Sequence, residues 1–233
     1  ILARKAQKRR VKAMPKVFLS PSNQYNNVYA YGNTTEGVQC GKIAEACKVA
    51  LERSGIEVKL MHDESMQEKC RVSNSFDADL HVPIHTNAFN GSVMGTRMFC
   101  YSSSGEGYKA CKEIMATLSP ITPGTSDNIT VNQDFYEVRV PSAPTAYVEC
   151  LFHDNYEEAK WCVEHTTEIG EAIAKGICNY FGIAYKSPVA PTPKPTIGVM
   201  YQVVTGSFSV LANAEKRVAE LKAKGFDSFI QKK

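Results

Sequence analysis

Three parts of this chain carry residue types that could do chemistry. The stretch DADLHVPIHTNAFNG, 77 to 91, holds His81 and His85; the run APTAYVECLF, 143 to 152, holds Glu149; and Glu36 follows a polar loop rich in Asn and Gln. Leu80, Val82 and Ile84 alternate with His81 and Pro83, so the first stretch reads as a strand, with His85 where apolar residues give way to polar ones. Four strand residues at about 3.3 Å each hold the two histidines about 13 Å apart, too far to ligate one ion together. A carboxylate, an imidazole and a second carboxylate gathered at one edge suit a hydrolytic metal site. Zinc lowers the pKa of a bound water to about 7, and a carboxylate that takes its proton contributes about 10²- to 10⁴-fold in rate. Blander readings exist for two of the groups. His81 could be satisfied by hydrogen bonds under a helix, and Glu36 could be only a favourable charge at a helix N-terminus. Glu149 resists such a reading, because a carboxylate inside an apolar strand must be paired, protonated or functional. A cysteine peptidase using Cys150 and His153 is a weak alternative. Adjacent strand residues face opposite ways, so Cys150 should turn from the side that Glu149 serves.

Strands and helices alternate along the chain in a way that would position these groups. KVFLS at 16 to 20 predicts a strand, followed by the long polar loop SPSNQYNNVYAYGNTT. Val38, Ile43, Ala44, Cys47, Val49 and Leu51 recur at helical spacing from Glu36 until Ser54 and Gly55 stop the pattern. Further strands are expected at IEVKLM, at the run ending in His85, at TRMFCY and at APTAYVECLF, with helices at 65 to 75, at YKACKEIMATL and over 156 to 182. The expected class is α/β, a mainly parallel twisted sheet flanked by helices over residues 16–185. In such a sheet reactive groups gather beyond the carboxyl ends of the strands. KSPVAPTPKPT, 186 to 196, holds four prolines and reads as a semi-rigid linker. Beyond it a small βαβ unit is expected, with strands at MYQVVTGSFS and FDSFI around the helix ANAEKRVAELKAKG.

Composition narrows the possibilities. The net charge of +3 hides +7 on residues 1 to 16 and +5 on 186 to 233, which leaves −9 on the body. An acidic body with a basic tail argues against a nucleic-acid partner. There is no run of about 18 apolar residues to span a membrane. The basic start has no apolar segment behind it and does not read as a secretory signal; Met14 reads as the natural start, and 1–15 as a disordered tail. The eight cysteines include no Cys-x-x-Cys pair and read as reduced, buried hydrophobes of a protein made in a cytoplasm.

Taken together, the motifs resemble the zinc-dependent N-acetylmuramoyl-L-alanine amidases of the amidase 3 family over about residues 16 to 182. ADLHVPIHTNA is similar to that family's strand ending in Ser-Ile-His-x-Asn-Ala, APTAYVECLFHDN resembles its Pro-x-x-x-x-Glu-x-x-Phe-x-x-Asn segment, and Glu36 matches the glutamate that opens its first helix. The resemblance implies a peptidoglycan hydrolase that cuts the amide between the lactyl group of N-acetylmuramic acid and L-alanine of the stem peptide. It implies zinc held by Glu36 and His85, Glu149 as general base and then proton donor, and Asn87 against the substrate. The family's first strand ends in Asp-Pro-Gly-His-Gly, whose His is a zinc ligand, whereas this chain reads Ser20-Pro21-Ser22-Asn23-Gln24. Asn23 therefore takes the third ligand's place in this alignment, with Gln24 and His153 as alternatives. An amide oxygen is a poor zinc ligand beside imidazole, so a second function is carried alongside: a catalytically inactive wall-binding protein that kept the fold and lost the metal. Residues 197–233 resemble the first half of a SPOR module, a glycan binder, and imply a homodimer that completes it. Action at the cell wall without a visible signal peptide favours a phage endolysin over a secreted autolysin.

Overall fold

The computed structural model describes residues 14–188 and 204–232, which belong to two compact units, one ending at Pro188 and one lying beyond it. The basic stretch 1–13, linker residues 189–196 and residues 197–203, with the start of the expected strand MYQVVTGSFS, lie outside the described residues.

The larger unit is built on a six-stranded sheet in the order β2-β1-β3-β6-β4-β5. Its strands are β1 (Lys16–Pro21), β2 (Glu57–Leu60), β3 (Leu80–Asn87), β4 (Arg97–Cys100), β5 (Asn128–Val131) and β6 (Tyr147–Phe152). Strands β2, β1, β3 and β6 run parallel. β4 is antiparallel to β6 and parallel to β5. Only nine residues join β3 to β4, fewer than the dozen or so that a parallel crossover needs, so the chain turns back. The expected α/β sheet, mostly parallel and flanked by helices, is therefore present. The reversed pair is an addition to it.

Alternation sorts the strand residues onto two faces. Val17, Leu19, Leu80, Val82, Ile84, Val148 and Cys150 join one core with helices α1 (Glu36–Ser54), α3 (Glu106–Leu118) and α6 (Thr166–Phe181). Two glycines of α6 allow the helices to approach closely. A Cβ at Gly170 would fall 2.6 Å from the Ile43 carbonyl oxygen of α1, and one at Gly176 would fall 2.4 Å from Ile114 Cα of α3. The other face carries Phe18, Ser20, His81, His85, Tyr147 and Glu149. It is lined by α2 (Met66–Phe76), whose first turn is capped by Ser65, and by the four-residue α4 (Tyr136–Arg139). Helix α5 (Tyr156–Glu164) follows β6, with Asn155 as its cap.

Sequence periodicity does not reveal β5 or α4. Each is four residues long, too short to show a period, and β5 is a largely exposed edge strand. Of the expected βαβ unit, α7 (Leu211–Ala223) forms; the described residues 204–209 and 226–230 are not in strand, and 200–203, the start of the first expected strand, lie outside the described residues. A strand needs a neighbour for its N–H and C=O groups, and the described residues of this unit offer none.

Candidate active site

The parallel register brings the carboxyl ends of β1, β3 and β6 to one edge. Pro21 pairs with Ile84, and His85 pairs with Glu149. From there the polar loop 22–35 returns to open α1 at Glu36, held by Glu36 N–H donating to the Asn27 carbonyl at 2.9 Å and Gly37 N–H donating to the Gln24 carbonyl at 3.2 Å.

Glu36 is 1% exposed, which a carboxylate placed only to favour a helix N-terminus would not be. Its Oε1 lies 2.9 Å from His85 Nδ1, and its Oε2 accepts from Asn27 Nδ2 at 2.7 Å. Gln24 Nε2 stands 3.4 Å from both Glu36 Oε1 and His85 Nδ1. The His85 ring stacks on Tyr147 at 4.8 Å between centroids, which fixes its plane. Burial pushes the Glu36 carboxyl up, but the His85 hydrogen bond and charge, with Asn27 and Ser22, bring it below its ordinary value. Burial likewise works to lower the His85 imidazole. The Glu36 hydrogen bond and the charges of Glu149, Glu36 and Glu137 nevertheless hold it above its ordinary value.

Glu149 is in a different state. Its Oε2 is buried without a hydrogen-bond partner, and burial, with the Glu36 charge adding to it and His85 opposing, raises its carboxyl to about 7. Its cross-strand neighbour Arg97 turns elsewhere, to Ser126 and over the Phe152 ring. A carboxyl that titrates near neutrality, beside an imidazole and a second carboxylate, is equipped to take and return a proton.

The other candidates separate clearly. Asn23 is exposed and donates its amide to the Asp63 and Glu64 carbonyls at 3.4 and 3.2 Å, so Gln24 rather than Asn23 reaches the pair. His153 is buried; its Nδ1 lies 3.0 Å from Thr86 Oγ1 and 3.1 Å from the Thr86 carbonyl oxygen, and it stacks on Tyr29. It belongs to the packing behind the site. Asn87, half-buried at the end of β3, accepts from Ala88 N–H at 2.8 Å. Cys150 lies in the apolar core, away from Glu149. All eight cysteines are free and buried.

A second polar cluster lies further down the same face. His81 Nε2 is 3.2 Å from Glu137 Oε1, His81 Nδ1 is 2.9 Å from Ser73 Oγ, and Ser20 Oγ donates to Glu137 Oε1 at 2.5 Å. Cys70, His81 and Glu137 offer ligand atoms within 4.8 Å of one another. An ion there would take His81 and Glu137 from hydrogen bonds they already make and would need a thiolate from Cys70, whose thiol burial raises to about 12. Glu137 escapes sequence reasoning because it sits in a helix of four residues, too short to show a period. The one available signal is a lone carboxylate between Tyr136 and Val138.

The profile of the N-acetylmuramoyl-L-alanine amidase family matches residues 22–179. The chain is 24% identical over 224 residues to the sporulation-specific N-acetylmuramoyl-L-alanine amidase of Bacillus subtilis, covering 93% of this chain and 84% of that one. Among solved structures, Cwp6 from Clostridium difficile superposes with a TM-score of 0.67 at 22% identity, over 72% of this chain and 29% of that one. The catalytic domain of CwlV from Bacillus (Paenibacillus) polymyxa superposes with a TM-score of 0.66 at 18% identity, over 73% of this chain and all of that domain.

The uncompensated burial of Glu149 has a consequence for stability. A carboxyl raised from 4.5 to about 7 on folding binds a proton that the unfolded chain releases, so stability falls as pH rises through that window. Above it the loss is about 3 kcal/mol at most. In EDTA-treated protein Glu149→Gln is therefore expected to be more stable than the parent at pH 8. The gain should shrink below pH 7 and vanish near pH 4.5. Urea unfolding at several pH values checks this; a variant no more stable at pH 8 would mean that the carboxylate is compensated.

Proposed function

The chain belongs to the N-acetylmuramoyl-L-alanine amidase family, and on that premise we propose which of its residues perform the family's reaction. The reaction is hydrolysis of peptidoglycan at the amide joining the lactyl group of N-acetylmuramic acid to L-alanine of the stem peptide. The observation that carries the assignment is Glu149, a buried carboxyl with an unpartnered oxygen and a pKa near 7, paired in register with His85 beside Glu36.

Glu36 and His85 supply a carboxylate and an imidazole 2.9 Å apart, a donor pair that fits a divalent ion, and zinc is the one the resemblance implies. Bound there, the ion would serve as a Lewis acid that acidifies water and polarises the scissile carbonyl. Glu149 accepts the proton of the attacking water as its oxygen bonds to the carbonyl carbon. It then returns that proton to the alanine nitrogen as the C–N bond breaks, leaving a lactyl carboxylate and a free amine. Tyr147 keeps the His85 ring in place by stacking. Asn87, half-exposed where β3 ends, offers its amide to the stem peptide. Retention of Glu36, His85 and Glu149 as one set favours an enzyme over an inactive binder.

The site of action is the cell wall, in a lytic role such as that of an endolysin. Among the described residues no helix is long and apolar enough to cross a membrane. The C-terminal unit is read as a partial SPOR-like glycan binder. No described residue of it is buried, and Phe208, Leu211, Phe226 and Phe229 are all exposed. Apolar exposure of this kind supports pairing of two copies, each lending the other the cover it lacks.

Glu149→Gln is expected to lower the rate of wall hydrolysis by about 10²- to 10⁴-fold with folding intact. A loss below about tenfold would remove Glu149 from the role of base. For the pairing, sedimentation of the intact chain should give a dimer that reverts to a monomer when the chain is cut after Lys186. Monomers in both samples would refute it.

A further inference from the structure

We propose that Gln24 is the third donor of the Glu36–His85 site, through its side-chain oxygen, and that this amide makes the hold on zinc weak and exchangeable. The inference rests on the reading that Glu36 and His85 hold a divalent ion, and it concerns which residue completes the set and with what consequence.

The first support is the size of the triangle. Glu36 Oε1, His85 Nδ1 and Gln24 Nε2 stand 2.9, 3.4 and 3.4 Å from one another. Ligands bound to zinc at about 2.0 to 2.2 Å in tetrahedral geometry lie roughly 3.3 to 3.6 Å apart. The triangle is close in size to one face of such a tetrahedron, with the Gln24 amide nitrogen at the corner its oxygen would occupy after rotation. Asn23 does not compete for this place, because its amide is spent on the carbonyls of Asp63 and Glu64.

The second support is how the loop is held. Ser22 N–H donates to the Ile84 carbonyl at 2.9 Å, which carries the β1–β3 pairing one residue past Pro21. The Gln24 carbonyl then accepts from Gly37 N–H, in the first turn of α1. Tyr25 Oη donates to Asp63 Oδ1 at 2.5 Å and anchors the next residue on the other side. Gln24 is thereby fixed at its backbone beside Glu36, while its side chain remains exposed to solvent.

Chemistry sets the affinity. An amide nitrogen does not ligate, so the Gln24 amide must turn by half a rotation to present its oxygen. In the present orientation that oxygen accepts from Asn27 Nδ2 at 3.1 Å, a hydrogen bond that ligation would break. The resulting set of one carboxylate, one imidazole and one neutral oxygen binds zinc less tightly than a set with two imidazoles. It also shifts the relative preference toward oxygen-seeking ions such as Mn²⁺.

The test is a competitive titration of zinc, and separately of Mn²⁺, against a chromophoric chelator, using the full chain and its variants Gln24→His, Gln24→Ala and Asn23→His. Gln24→His is expected to bind zinc at least about tenfold more tightly than the parent, with a smaller relative gain for Mn²⁺. Gln24→Ala should bind zinc more weakly, and Asn23→His should match the parent. Cooperative thermal melts in EDTA should show that parent and Gln24 variants are all folded, so that a change in zinc affinity reports the site rather than unfolding. Equal zinc affinity in parent and both Gln24 variants would overturn the proposal, as would tightening in Asn23→His alone. Zinc binding absent from every protein would overturn it by a distinguishable route, because the Glu36–His85 reading itself would then be wrong.

Discussion

The 2.9 Å contact between Glu36 and His85 spans 49 residues of sequence and joins the first turn of α1 to the end of β3. The rest of the edge is arranged around it. Loop 22–35 must leave β1, pass over the site and return in register with Glu36, and its Gln24 and Asn27 both end on that carboxylate. Tyr147 stacks on the imidazole from β6, and the same strand places Glu149 beside it two residues later. Parallel pairing of β1, β3 and β6 makes this possible, because it brings three carboxyl ends to one edge.

The pair and Glu149 illustrate two outcomes of burying a carboxylate. Glu36 gains an imidazole and an amide, and its charge is retained below the ordinary carboxyl range. Glu149 gains no hydrogen bond for its buried oxygen and is held near neutrality, where a proton can be taken and returned. In the proposed reaction that loss of stability is the cost of holding a proton carrier beside the Glu36–His85 pair. Further down the same face, Ser20, Ser73, His81 and Glu137 show the satisfied alternative, a closed set of hydrogen bonds that anchors α2 and α4 to the sheet.

Much of this was legible from residue patterns. Alternation around Leu80, Val82 and Ile84 sets His81 off the apolar face and His85 at a strand end, and the apolar run around Glu149 marks an internal strand. The reversal of β4 was not read, although the short β3–β4 connection carried the signal. Strand β5 and helix α4, and with it Glu137, left no periodicity to detect. The choice between Asn23 and Gln24 turns on a single residue of loop register, set by Ser22 extending the β1–β3 pairing, and no motif spacing reports that. Among the described residues, 204–209 and 226–230 beside α7 are not in strand, because strand formation depends on partners, not on local apolar content.

Hydrolysis of one particular amide of peptidoglycan at this edge leaves a distinctive set of ends, which end-group analysis of a wall digest reads out. Purified peptidoglycan treated with the zinc-supplemented full chain should release new amino termini that are alanine alone, with no new reducing sugar ends. New reducing ends, or new amino termini from any other residue of the stem or cross-link, would contradict it.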